Sequence, residues 1–325
     1  MITTDDIRQR PWFDRFRYYP FSQYLKERFG CKVHKVTLHA GFTCPNRNGA
    51  KGVGGCLYCV NTSFSPVAGK AGVPVADQMR EGIAFMRRRY GAEKFYAYFQ
   101  PFSNTYADVA TLKARYDDAV SFPDVVGLSI GTRPDCVPDP VLDLVESYTD
   151  RLDVWLEYGI QSVHDRTLRA INRGHLYADF EDAIHRTKGR GIKICAHVIL
   201  GLPGESWDDM MVSAERVSAL GVDGIKVHHL YVARDTPMEA MYARGEFKVF
   251  TVEEWVPLAA DFLERLSPEI AVQRLIGDTH GAFLVAPIWN WNKSEIFAAI
   301  TAELRRRGTY QGVLVGAKRS PAGLT

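Results

Sequence analysis

Residues 32–59 read KVHKVTLHAGFTCPNRNGAKGVGGCLYC, and this stretch decides the fold. Its first nine residues set Val33, Val36 and Leu38 among polar side chains, the pattern of a half-buried strand. The strand runs straight into a loop too rich in Gly, Pro and Asn to be helix or strand. That loop carries Cys44, Cys56 and Cys59 in the order C-x11-C-x2-C, with Tyr58 before the last cysteine. Three thiolates are one ligand short of what an iron–sulfur cube takes, and an open coordination position marks a metal centre that does chemistry. Zinc, with His34 or His39 as fourth ligand, fits the same residues, although both histidines fall within the predicted strand.

Outward from the loop, the chain settles into strand-then-helix units. Strands are predicted at 95–99, 125–130, 154–158, 192–200 and 224–232, and helical spacing at 75–90, 138–148, 164–172 and 206–220. Pro138-Asp139-Pro140 opens one helix, and Glu205-Ser206 opens another whose first turn holds Asp208 and Asp209. With the strand at 32–40 this makes six units, an α/β chain whose alternation builds a parallel sheet or a partial (β/α)6 barrel of the TIM type. In such barrels the functional groups sit on the loops after the strands' C-terminal ends. Here those loops are the cysteine loop, QPFSNTY at 100–106, GTRPD at 131–135, GIQS at 159–162 and GLPGE at 201–205. All five polar or glycine-rich clusters fall on one rim.

The bulk properties narrow the class. The chain has 325 residues, 46% hydrophobic and 24% charged, enough for one large globular core. No apolar run approaches the roughly 20 residues of a spanning helix, and the opening MITTDDIRQRPWF has no signal-peptide core, so a cytoplasmic protein is expected. A net charge of +2 permits a nucleic-acid partner without demanding one. The runs Arg87–Arg89 and Arg305–Arg307 lie near helix ends, where they complement the helix dipole. Six cysteines in such a chain argue against a disulfide framework, and Cys31, Cys136 and Cys195 read as isolated small residues.

Residues 1–31 form an aromatic, basic N-terminal extension ending in the helical pattern SQYLKERF, capped by Gly30. The barrel is expected over 32–245. Residues 246–325 are expected to form a C-terminal cap, with helices at TVEEWVPLAADFLERL and NKSEIFAAITAELRRR flanking a turn-rich segment that holds Gly277, Asp278, His280, Trp289 and Trp291.

The cysteine loop at the end of the first strand resembles that of the radical S-adenosylmethionine (SAM) superfamily. The resemblance extends through TRPDC at 132–136, EYGIQSVHDRTLRAINRGH at 157–175 and HVILGLPGES at 197–206, which look like segments of the Elongator catalytic subunit and of oxygen-independent coproporphyrinogen dehydrogenases. The runs GFTCPNRNG, GGCLYC, FQPFSNTY and NKSEIF are more similar still to the stand-alone YhcC/YtqA-like group. By this resemblance Cys44, Cys56 and Cys59 hold a [4Fe–4S] cluster whose open iron binds SAM. Reduction by a donor such as flavodoxin or ferredoxin then cleaves SAM to a 5′-deoxyadenosyl radical, which abstracts hydrogen from substrate.

The resemblance carries SAM contacts to Gln100, Gln161, Arg173 and His197, with Arg133 and Glu157 as further cofactor-binding candidates. An Arg can pair with the SAM carboxylate, and amides can meet its ribose or amino group. Relatives often hold an acidic residue before the TRPD segment, where this chain has Gly131, so Thr132 and Glu157 are the candidates for the ribose; Glu157 is equally placed to pair with Arg133. The implied substrate is tRNA, with a carboxymethylaminomethyl group on the wobble uridine converted to aminomethyl. The alternatives are a small metabolite such as a porphyrin-like carboxylate, or a non-catalytic metal-bearing module. About 80 residues after Gly245 are too few for the acetyltransferase domain of the Elongator subunit. Tyr106, Tyr231 and Cys136 are candidates for quenching a substrate radical.

Overall fold

The computed structural model describes residues 4–277, 279 and 281–316. Asp278 and His280 of the turn-rich segment, and the tail after residue 316, lie outside the described residues. The predicted alternation builds β1 (Val33–Leu38), β2 (Lys94–Phe99), β3 (Val125–Thr132), β4 (Asp153–Gln161), β5 (Lys193–Leu200) and β6 (Gly224–His229), paired in parallel in chain order. The last of these stops at His229, short of the expected Val232. A separate strand, β7 (Val232–Ala233), follows, and later strands are β8 (Ala271–Arg274) and β9 (Leu284–Ala286). β7 and β9 form an antiparallel pair.

The sheet has a seventh strand that periodicity does not show. β8 lies parallel to β6, and the connection between them runs through β7, the helix Pro237–Ala243 and the helix Val252–Glu264, so a strand–helix–strand unit continues past residue 245. β8 is four residues long, too short to display an alternating pattern. The curl of the sheet brings its edges together, and Lys35 of β1 donates to Gln273 Oε1 of β8 at 2.8 Å. The segment before the first long helix joins the same edge, because Val272 N–H donates to the Tyr19 carbonyl at 2.8 Å.

The outward faces of the strands are apolar and bury against the helices. Val36, Phe99, Leu128, Leu156, Val198 and Val227 belong to one continuous core with residues of the helices Val75–Tyr90, Val109–Val120 and Trp207–Ala219. The inward faces are layered. At the strands' N-terminal ends, Tyr96, Trp155 and Cys195 form an aromatic floor closed by the helix Phe21–Phe29. Phe21 and Tyr24 meet Trp155 edge-on at 5.5 and 5.4 Å, a geometry worth roughly 0.5–1.5 kcal/mol per pair beyond area burial. Gly127 makes room for this floor, since a Cβ there would stand 2.3 Å from the Tyr96 ring.

The C-terminal helix Lys293–Arg307 packs on Val252–Glu264. The basic run at its end is structural: Arg307 donates to Asp261 at 2.5 Å and to Glu303 at 2.7 Å, while Arg305 donates to the Asp14 and Arg15 carbonyls. Among the described residues no helix is long and apolar enough to cross a membrane.

Candidate active site

Above the aromatic floor, the barrel interior opens into a cavity at the strands' C-terminal ends. Cys44, Cys56, Cys59, Gln100, Arg133, Glu157, Gln161, Arg173 and His197 all line it. The cysteine loop is tied down on the chain that follows β4. Leu57 N–H donates to the Ile171 carbonyl at 3.0 Å, and Asn46 Nδ2 donates to the Asn172 carbonyl at 2.6 Å. Asn46 Nδ2 also stands 3.7 Å from Cys56 Sγ, and Arg173 Nη1 reaches the same sulfur at 3.6 Å. Burial pushes the Cys56 thiol up, but the Arg173 and Arg133 guanidiniums outweigh it and hold the thiol below its ordinary value. Cys59 has the opposite balance, with burial and the neighbouring Cys56 raising it to about 11.

The two arginines are fixed by separate partners. Arg133 forms a two-pronged pair with Asp135, at 2.8 and 3.0 Å, and donates to the Arg173 carbonyl at 2.8 Å. Burial raises the Asp135 carboxyl, yet Arg133 and Lys51 bring it down to about 2. Arg133 is therefore committed to Asp135, and the expected pairing with Glu157 does not form. Arg173 donates to the Gly159 carbonyl, and its Nε is buried without a partner among the described residues. A Cβ at Gly159 would stand 2.7 Å from Gln161 Nε2 and 2.9 Å from Arg173 Nη2, so the glycine leaves room for both side chains. Gln161 holds the left-handed conformation, φ +74°, uncommon for a side-chain-bearing residue and typical of strained functional loops.

Glu157 is fully buried at the cavity's base. Oε1 accepts from Lys35 at 2.6 Å and Ser129 at 2.5 Å; Oε2 accepts from His197 at 2.9 Å and from Lys226. Burial opposes its charge, but Lys226 and Lys35 hold the carboxyl well below the usual carboxylate range. Burial in turn lowers Lys226 to about 8 and His197 to about 4, leaving the imidazole neutral at pH 7. Glu157 and His197 thus belong to a polar network in which both carboxylate oxygens are already engaged. Thr132 is similarly occupied, sharing its hydroxyl with Ser103 at 3.0 Å and Thr105 at 2.6 Å. By contrast, among the described residues neither the Gln100 nor the Gln161 side-chain amide has a hydrogen-bond partner, and both face the cavity.

The remaining candidates divide. Tyr231 lines the cavity, whereas Tyr106 and Cys136 line a neighbouring groove behind the 131–135 loop. His34 stacks on Tyr90 at 4.8 Å, and His39 accepts from Gly41 N–H at 2.9 Å; neither is on the cavity wall. A Cβ at position 131 would stand 3.1 Å from the Phe99 carbonyl, a tight contact that the glycine avoids. Lys35, Lys226, His228 and Arg274 were not anticipated. The available signal is a lysine among the strand residues, Lys35 in KVHKVTL and Lys226 in GIKVHH, at inward-facing positions.

The family model described as the radical SAM superfamily matches residues 44–217, and the model for the Radical_SAM C-terminal domain matches 222–306. The uncharacterized protein YtqA of Bacillus subtilis is 39% identical over 296 residues, covering 91% of this chain and 92% of YtqA. Protein YhcC of Escherichia coli is 39% identical over 293 residues, 90% of this chain and 93% of YhcC. Elongator complex protein 3 of Mus musculus is 26% identical over 188 residues, 57% of this chain but only 34% of that protein. Among solved structures, the archaeal Elp3 of Methanocaldococcus infernus superposes with a TM-score of 0.67 at 17% identity, over 86% of this chain and 64% of that one, which shows a shared fold. On the extent of these matches, the chain belongs to the radical SAM superfamily.

Proposed function

We propose that this radical SAM enzyme modifies the wobble uridine of tRNA, converting a carboxymethylaminomethyl side chain to an aminomethyl one. The observation that carries the reading is the cavity itself. Three thiols, a buried arginine and two amides unengaged among the described residues line one cavity with the polar, cationic side chains of Lys226, His197 and Arg274. The likeness of sequence to Elongator complex protein 3, over 57% of this chain, supports the choice of substrate.

Radical SAM enzymes use a [4Fe–4S] cluster and SAM, and the residues present fit both. Cys44, Cys56 and Cys59 line one cavity together with Arg173, and three thiolates, one to an iron, suit a cube that leaves one iron open. Cys44, Cys56 and Cys59 would hold the cluster, with Asn46 and Arg173 donating to the Cys56 sulfur. Arg173, with its unpartnered Nε, suits the SAM carboxylate, and Gln100 and Gln161 suit its amino group and ribose. When bound, the two cofactors supply radical hydrogen abstraction. The chain's own residues position the cofactors and keep the interior polar network closed by the aromatic floor. An external reductant of the flavodoxin or ferredoxin kind completes the system.

The test is nucleoside profiling of tRNA from a strain lacking the protein. Carboxymethylaminomethyluridine is expected to accumulate at the expense of its aminomethyl products. An unchanged wobble profile would remove tRNA as the substrate and favour the second reading, a small carboxylate metabolite, which the cationic interior also suits.

A further inference from the structure

The cavity is cationic at two separate ends. Arg173 acts on Cys56 and Tyr58, beside the thiol loop. Arg274 acts instead on Tyr98, His197, Lys226 and His228, in the part of the cavity built by β2, β5, β6 and β8. Among the described residues that line the cavity, Glu157 is the one carboxylate, and it is already shared by Lys35 and Lys226. Among the described residues Arg274 has neither an ion-pair nor a hydrogen-bond partner.

Its placement follows from strand geometry. The register between β6 and β8 shifts opposite Ile225 and Lys226, setting Arg274 directly beside Lys226. Gln273 then bonds to Lys35 while Arg274 lies on the cavity wall. A half-buried guanidinium next to an ammonium, with no acceptor of its own among the described residues, is an unfavourable arrangement that an anionic ligand would relieve. His228 lines the same wall and is held neutral by burial and by the charge of Arg274, so its ring N–H is free to donate.

We propose that Arg274, assisted by Lys226 and His228, is a carboxylate cradle that seats the acidic end of the substrate side chain. A planar carboxylate matches the parallel donors of a guanidinium, while a second donor from the Lys226 ammonium suits its remaining lone pairs. The cradle rests on the tRNA reading and deepens it: the anion is the carboxymethyl end of the uridine substituent, and the cradle is what separates that substrate from its neutral or truncated analogues.

The experiment uses synthetic anticodon stem-loops titrated anaerobically onto the cluster-reconstituted protein with SAM. One carries carboxymethylaminomethyluridine, one its neutral carbamoylmethyl amide, and one aminomethyluridine. Wild-type protein is expected to bind the acid at least about tenfold more tightly than the amide, the worth of one charge-assisted hydrogen bond. Arg274→Gln is expected to erase that preference while leaving iron content and SAM affinity unchanged. Equal affinity for acid and amide in the wild type overturns the cradle and leaves the tRNA reading standing. Weakened SAM binding in Arg274→Gln also overturns it, by assigning the arginine to the cofactor. If no stem-loop binds, the tRNA reading fails, and the same acid–amide comparison with the free nucleosides decides the cradle alone. If Arg274→Gln does not fold, the wild-type preference still decides.

Discussion

Glu157 anchors two lysines, a serine and a histidine while it is itself out of solvent, so its charge is essential to the cavity's base. Removing one member of a buried ion pair leaves the other uncompensated, at a cost of about 3–5 kcal/mol. Glu157→Gln keeps the shape and removes the charge, so a loss of that size is expected in urea denaturation, with the slope unchanged. A loss under about 1 kcal/mol would mean that water reaches Lys35 and Lys226 and that the network is not closed. The same residue shows what sequence reading conveys at this scale. The three cysteines and the six cofactor-binding candidates line one cavity, because cysteine spacing and glycine-rich loops announce themselves locally. Partners do not announce themselves: Lys35 and Lys226 lie 122 and 69 residues from Glu157, so nothing in the neighbourhood of EYGIQ shows that its carboxylate is engaged.

At the scale of elements, β5 and β6 carry histidines where strands normally carry apolar or exposed residues. His197 and His229 are lowered to about 4 and about 3, and His228 well below its ordinary value, in each case first of all by burial. A histidine whose folded pKa lies below its unfolded value of about 6.5 takes up a proton on unfolding throughout the interval between them. Stability is therefore complete above about pH 6.5 and falls as pH drops toward 4, with each such histidine adding a slope of up to about 1.4 kcal/mol per pH unit. Denaturation of the cluster-free protein between pH 7.5 and 4.5 is expected to show this loss, and His197→Gln to reduce its slope. Flat stability down to pH 5 would show that the rings are hydrated. Most elements were legible because 3.6-residue and two-residue periodicities reflect burial on one face. β8 was not, since its four residues take their strand character from β6 and the Tyr19 segment rather than from any pattern of their own.

At the scale of the whole molecule, the expected C-terminal cap and the barrel share one core. A boundary after Gly245 follows the apparent end of the β/α alternation, but the core runs without a break from Tyr18 through the barrel to Leu304. Helix Val252–Glu264 buries Trp255, Leu258, Phe262 and Leu263 completely, and β8 covers the edge of β6. Gln311 adds a further tie, accepting from Tyr19 N–H at 2.8 Å and donating to the Ile270 carbonyl at 2.9 Å. Burying four large apolar side chains contributes about 1.5–3 kcal/mol each, a sum comparable to the about 5–15 kcal/mol by which domains of this kind are stable. A fragment ending at Gly245 would lose all of these and expose an apolar strand edge able to pair with other copies. It is expected to aggregate, or to unfold without a cooperative transition in calorimetry and denaturant titration, whereas the full chain unfolds as one unit. A soluble 1–245 fragment with a cooperative melt would mean that the barrel closes without β8 and that the C-terminal segment is a detachable cap.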